Sequence, residues 1–261
     1  MAEFDPSVPS IARVYDYFLG GKDHFASDRA LADRMIEMAP LAPVITRENR
    51  QFLVRAVTWA ATQGIGQFLD LGCGMPTAPD TLESARGVIA GARVAYVDND
   101  PVVLSHLNAR VAKGTPGVTV VAGDVREVPV ILDGAQAGID LSAPVCLIMG
   151  FLLHFFTADA ARDLVARYAT ALPPGSLLVL SAIHVDTKGA DEGFDGYSNA
   201  VAPVYNHSAA EFASFLDSLE ILPPGVVDAR MWCARTGAPD PLERDQYAIV
   251  GVARIAGART A

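Results

Sequence analysis

Five residues at fixed distances carry most of the chemistry written into this 261-residue sequence. Asp70 sits near the end of an apolar run, Phe68-Leu69-Asp70-Leu71, and is followed by Gly72 and Gly74 with one residue between them. Asp98 closes a second such run twenty-eight residues after Asp70, and Asp124 follows a third. Glycines spaced this way let the chain turn sharply and let its backbone approach a ligand closely, because no Cβ intervenes. A parallel strand that breaks into such a loop delivers the ligand to the carboxyl edge of an α/β sheet. The carboxylate of Asp70 would repel a pyrophosphate and attract an ammonium or a sulfonium. The Asp-x-Gly-x-Gly pattern therefore points to a nucleoside pocket for a cationic cofactor, a description that S-adenosyl-L-methionine meets.

The other strand ends supply matching chemistry. Asp98, with Asn99 beside it in Tyr96-Val97-Asp98-Asn99-Asp100-Pro101, can accept hydrogen bonds from ribose hydroxyls. Asp124 can accept from an adenine amino group while Val125 packs on the ring. Gly150 and Phe151 follow a fourth strand, where they would border the methionine end and the substrate mouth. His154, after the fourth strand, and His184, at the end of the fifth, are candidates to deprotonate a substrate hydroxyl or amine, a role worth about 10²–10⁴-fold. Both have a packing role as the alternative. Tyr197, Tyr205 and His207 fall in the segment between the fifth and sixth strands, where a substrate pocket is usually elaborated. No His-x-x-x-His or His-Glu-x-x-His spacing occurs, so no metal site is expected. Were such a cofactor to give up its methyl group, no conspicuous base would be needed, since alignment alone can supply about 7–11 kcal/mol.

These residues must be held by an alternation of strands and helices. Strands are expected at Gln67–Leu71, Arg93–Asp98, Val118–Ala122, Val145–Met149 and Ser176–His184, with helices at Pro79–Ala90, Pro101–Ala112 and Ala158–Ala171. That βαβ order implies a parallel sheet covered on both faces. Ile221–Trp232 and Gln246–Ile255 read as two further strands that pair antiparallel. The expected fold is thus α/β and Rossmann-like, a seven-stranded, mostly parallel sheet with an antiparallel last strand. Residues 1–62 have a different texture and predict an N-terminal helical cap or lid on the 63–261 domain. Ile11, Val14, Tyr15, Phe18 and Leu19 recur at helical spacing between Ser10 and Gly20-Gly21, and further helices fit Ser27–Met38 and Pro43–Thr62.

Bulk composition narrows the function further. Hydrophobic residues make up 51% and charged residues 19%, so a substantial core is expected. A formal charge of −10 without a dense Lys/Arg run argues against a nucleic-acid partner and favours a small-molecule acceptor. Three scattered cysteines suggest neither a disulfide framework nor a zinc site. The first residues resemble no secretory signal, and the apolar run from Pro144 to Phe156 is too short to span a bilayer, so no membrane association and a cytoplasmic location are expected.

The order of the acidic strand ends resembles the class I S-adenosylmethionine-dependent methyltransferases. Ala12-Arg13-Val14-Tyr15-Asp16-Tyr17-Phe18-Leu19-Gly20-Gly21-Lys22-Asp23, with Phe25 and Asp28, resembles one bacterial subgroup, the actinobacterial "S-adenosyl methyltransferase" family first catalogued as a domain of unknown function. Arg47-Glu48-Asn49-Arg50, Pro173-Pro174-Gly175-Ser176 and Pro224-Gly225-Val226-Val227 look like further blocks of it. The resemblance implies that the N-terminal segment folds over the cofactor, making Tyr15, Tyr17, Lys22 and Asp23 lid candidates. Arg50 could pair with the cofactor's carboxylate through its planar fork. Departures fall at Cys73, at Asn206-His207-Ser208 and at Trp232-Cys233-Ala234, the last two on the substrate side. Gly20-Gly21-Lys22 is no phosphate loop, because Asp16 and Asp23 occupy the positions that need Gly and Ser/Thr. Two alternatives remain open: an inactive S-adenosylmethionine-binding module, and a NAD(P)-dependent oxidoreductase, against which stand the missing third glycine and Asp70.

Overall fold

A computed structural model describes residues 5–185, 203–233 and 246–257. Among the described residues eight strands form one sheet: β1 (Gln67–Leu71), β2 (Arg93–Asp98), β3 (Val118–Ala122), β4 (Cys146–Met149), β5 (Leu177–Val185), β6 (Glu220–Ile221), β7 (Val227–Asp228) and β8 (Gln246–Arg254). Their order is β3-β2-β1-β4-β5-β8-β6, with β7 also paired to β8. Strands β1 to β5 run parallel to one another, and β8 lies antiparallel to β5 and to both short strands. The sheet carries eight strands rather than seven because the stretch expected as one strand, Ile221–Trp232, is two short ones. Pro223 and Pro224 lack the N–H a ladder requires, and the pairing breaks there.

Side chains alternate across the sheet as the pleat demands. Leu69, Leu71, Val97, Leu147 and Met149 enter one core with α6 (Val128–Ala135), α7 (Ala158–Ala171) and α8 (Ala209–Ser214). Phe68, Val94, Tyr96, Cys146 and Ile148 enter the other with α3 (Ala42–Thr62), α4 (Thr81–Arg86) and α5 (Pro101–Ala112). The two remaining helices, α1 (Ile11–Phe18) and α2 (Ala26–Met38), build a small third core from Val14, Phe18, Leu31, Ala32 and Met35. Helix α3 belongs to the sheet: its Phe52, Ala56, Val57 and Ala60 are buried among sheet side chains, and Phe52 meets Trp232 edge to face. No described helix is long and apolar enough to cross a membrane.

Candidate functional site

The carboxyl ends of β1 to β4 open into one cavity of about 620 Å³, within the roughly 300–1,000 Å³ of small-molecule sites. Eleven of the sequence-predicted residues line it: Tyr15, Arg50, Asp70, Gly72, Gly74, Asp98, Asn99, Asp124, Val125, Gly150 and Phe151.

Its floor is the turn after β1. Gly72 and Gly74 have φ of 61° and 65°, a left-handed conformation that favours glycine. A Cβ on Gly72 would stand 3.0 Å from the Leu152 side chain, so the loop is also closely packed there. Asp70 is buried and accepts a 2.6 Å hydrogen bond from Thr81 Oγ1 at the start of α4. Burial pushes its pKa up to about 6, against the opposing pull of the Thr81 hydrogen bond and of Arg50. Asp98 is held by three backbone amides. Its Oδ1 accepts from Asn99 N and Asp100 N, and its Oδ2 from Gly74 N, each at 2.9 Å. A carboxylate has about four acceptor positions, and the fourth here, on Oδ2, meets only a long 3.9 Å contact from Cys73 Sγ. Burial raises the Asp98 pKa as well.

Asp124 is different. Both of its oxygens face Arg126, with contacts from Nε at 2.9 and 3.0 Å and from Nη2, and this pairing holds its carboxyl below the usual range.

The upper wall comes from α1, α3 and the turn after β4. Tyr15 Oη donates to the Thr46 carbonyl at 3.3 Å and accepts from Asn49 Nδ2 at 3.0 Å, so its hydroxyl is committed to α3. Burial pushes its pKa up to about 12. Arg50 Nη2 donates to the carbonyls of Thr77 and, at 2.6 Å, of Pro79, fastening the loop after Gly74, while its buried Nε has no partner among the described residues. Phe151 takes a φ of 51°, uncommon for a residue with a side chain, with its N–H shared between the Ser181 carbonyl and hydroxyl at 3.2 and 3.0 Å. Its ring meets Tyr15 edge to face at 6.1 Å. Gly150 lies against Leu53, where a Cβ would come within 2.8 Å.

Seven predicted residues stand elsewhere: His154, His184, Tyr17, Lys22, Asp23, Tyr205 and His207. The structure does not bring His154 or His184 to the cavity wall. A 3₁₀ turn over Leu153–Phe155 rotates His154 inward, where it is 2% exposed between Phe151 and Phe155. Burial lowers its pKa to about 3, so the ring is neutral. His184 is buried with Nδ1 2.7 Å from the His207 carbonyl and its ring against Tyr247, its register partner on β8. Tyr17 donates to Asp33 at 3.1 Å, Lys22 is exposed, and Asp23 is exposed 3.9 Å from His106. Tyr205 is exposed, its N–H bonded to the His154 carbonyl; His207 is buried with Nε2 3.1 Å from the Leu153 carbonyl. Asn206 pairs through its amide with the backbone of Val185. Tyr197 and Ala234 lie outside the described residues.

Sequence reasoning missed Ser10, Ile11, Ala12, Leu53, Asp100, Arg126, Phe155 and Phe156, all on the wall. Asp100 alone carried a local signal. An Asp before Pro101 marks a helix start, and Asp100 does cap α5 through Val102 N at 2.8 Å.

Comparisons with known proteins bear on the family and the fold. A family model described as S-adenosyl methyltransferase matches residues 1–256. A crystal structure of a candidate methyltransferase from Thermobifida fusca YX is 36% identical, with a TM-score of 0.89 and 96% of each chain covered. A DUF574 family protein from Streptomyces avermitilis MA-4680 is 33% identical at a TM-score of 0.87, covering 96% of this chain and 98% of that one. Among curated sequences, the carboxy-S-adenosyl-L-methionine synthase of Colwellia psychrerythraea is 28% identical over 174 residues. That match takes in 61% of this chain and 66% of the synthase.

Proposed function

The chain belongs to the S-adenosyl methyltransferase family, whose cofactor is S-adenosyl-L-methionine, and from that premise we propose that it methylates a small-molecule acceptor. The observation that carries the reading is the pair of enclosed, under-neutralised carboxylates, Asp70 and Asp98, on a glycine floor beside an apolar wall. Bound S-adenosyl-L-methionine would supply a methyl group activated on a sulfonium, open to in-line attack by the acceptor's nucleophile.

The residues present fit that cofactor. Asp70 offers negative charge to its cationic end, and Arg50 Nε, a buried donor without a partner among the described residues, suits its carboxylate. Asp98 Oδ2 retains one acceptor position for a ribose hydroxyl. Val125, with Asp124 or Arg126, borders the nucleobase, and the Gly72 and Gly74 turn lets the backbone approach closely. Helix α1 closes the cavity from above with Ile11, Ala12 and Tyr15, in keeping with α1 and α2 acting as a cap, while α3 of the expected 1–62 cap packs into the sheet core.

The acceptor meets a different surface. Leu53, Phe151, Leu152, Phe155 and Phe156 form an apolar stretch of the same cavity, which excludes water and favours a small apolar molecule. With His154 and His184 off the wall, this chain's contribution is to position the acceptor, and no described side chain at that stretch takes its proton.

Calorimetric titration with S-adenosyl-L-methionine, S-adenosylhomocysteine and NADH tests the reading. Micromolar binding of the first two without the third is expected. Binding of NADH alone would overturn it, and tight cofactor binding without turnover across a broad acceptor screen would point to a binding module instead.

A further inference from the structure

Arg13 is not one of the α1 residues that line the cavity, yet it is 3% exposed. Its Nε donates to Asp28 Oδ2 at 2.8 Å, its Nη1 to Asp100 Oδ2 at 3.2 Å and its Nη2 to the Val8 carbonyl at 2.8 Å. Asp28, fully buried at the start of α2, also accepts from Ser10 N at 2.8 Å and Phe25 N at 2.7 Å. The Ser10 hydroxyl donates to the same Asp100 oxygen that Arg13 reaches. Asp100 Oδ1 caps α5, and the Asp100 N–H donates to Asp98 Oδ1. One unbroken polar path therefore runs from the two cap helices, through Arg13 and Asp100, to the carboxylate on the cavity floor.

We propose that Arg13, acting through Asp100, is a positioning residue that latches the N-terminal cap over the cofactor and sets how tightly the cofactor is held. The inference rests on the methyltransferase reading of the cavity. Two physical reasons support it. Ile11, Ala12 and Tyr15, on the same short helix as Arg13, are wall residues, so an unlatched α1 takes part of the wall away. Apparent affinity is then the intrinsic affinity multiplied by the fraction of molecules in which the wall is in place. The latch also anchors the Asp98-Asn99-Asp100 turn through the Asp100 side chain, and the Asp100 N–H in turn holds Asp98 Oδ1. Charge-assisted bonds that share one rigid guanidinium fork suit a joint between three elements, and lysine could not replace it.

Asp100→Asn is the informative variant. An asparagine oxygen still caps α5, but its amide cannot accept from Arg13 or Ser10. With the full chain, the dissociation constant for S-adenosylhomocysteine is expected to rise about tenfold, the effect of one charge-assisted bond. Arg13→Gln is expected to match it, and the double variant to lose little more, because both break one latch. Amide exchange over residues 11–18, slowed by S-adenosylhomocysteine in the wild type, is expected to lose that ligand-dependent slowing in Asp100→Asn, an effect that general destabilisation would not single out. Should Arg13→Gln not fold, Ser10→Ala with Asp100→Asn supplies the same cycle. Wild-type affinity retained in Asp100→Asn, or losses that multiply across the pair, would overturn the latch while leaving the cofactor site standing. A wild type that binds no S-adenosylhomocysteine would overturn both.

Discussion

At the β1 and β2 ends of the cavity, Asp70 and Asp98 are enclosed and answered by a hydroxyl and by backbone amides, which orient a carboxylate without cancelling its charge. At the β3 end, Asp124 stands partly in solvent with its charge already met by Arg126. Burial drives the first two pKa values up, and the arginine drives the third down. Three aspartates at successive strand ends, equivalent in sequence, are therefore not equivalent in kind. The first two hold negative charge that a cationic, hydroxyl-bearing ligand can complete, whereas the third needs nothing from a ligand.

Removing an enclosed carboxylate should do the most damage. Asp98→Ala deletes the acceptor proposed for the ribose and the anchor of three backbone amides. Cofactor affinity is expected to fall about 10–100-fold, as for the loss of a charge-assisted pair. Calorimetry against S-adenosylhomocysteine reads this directly, and unchanged affinity would remove the distinction between the two ends.

Acidity separates the ends next. With a folded pKa of about 6 against an ordinary 3.8, Asp70 binds its proton more tightly in the folded protein than in the unfolded chain. Ionising it therefore costs stability as pH rises from about 4 to 6, and that cost is complete above the folded value. If Asp70 meets the cationic end of the cofactor as proposed, cofactor affinity has the opposite slope, because that end needs the ionised form. The dissociation constant is expected to be flat above pH 7 and to rise below 6, by up to about tenfold at pH 5. Asp70→Asn should remove most of this step, leaving what Asp98 contributes. Asp124, held ionised by Arg126, adds no step in that range, so a pH-independent wild type between 5 and 8 would break the comparison.

The sequence disclosed the floor far better than the wall. Asp70, Gly72, Gly74 and Asp98 are local consequences of strands that end where apolar runs end, and β1, β2, β3, α5 and α7 occupy their expected bounds. The wall is assembled from distant segments. Ser10 and Arg13 meet Asp100 across 90 and 87 residues, and no spacing rule encodes such a meeting. His154 and His184 sit where strand-end chemistry is expected, but a 3₁₀ turn and a β-ladder partner turn them inward, a tertiary outcome. Helix α6 was missed because Pro129 and Gly134 flank a short apolar run, although proline is well tolerated in a first helical turn. Helix α8 had a legible signal, the Ser208–Glu211 capping box, which the structure forms in both directions.

Freeing Asp124 is the gentlest way to sharpen the contrast. Arg126→Ala removes the partner of a carboxylate that water already reaches, and exposed pairs of this kind contribute about 0–1 kcal/mol. Thermal stability should barely change. Cofactor affinity is expected to shift by less than about threefold, in a direction that identifies which member of the pair meets the nucleobase. A gain means that Asp124 is the recognition group and Arg126 its competitor for the adenine amino group. A loss means that the guanidinium itself lies against the ring. A change of tenfold or more in either direction would show that the β3 end is as demanding as the β1 and β2 ends, and that its solvent-facing ion pair is a poor guide to what the bound nucleoside requires there.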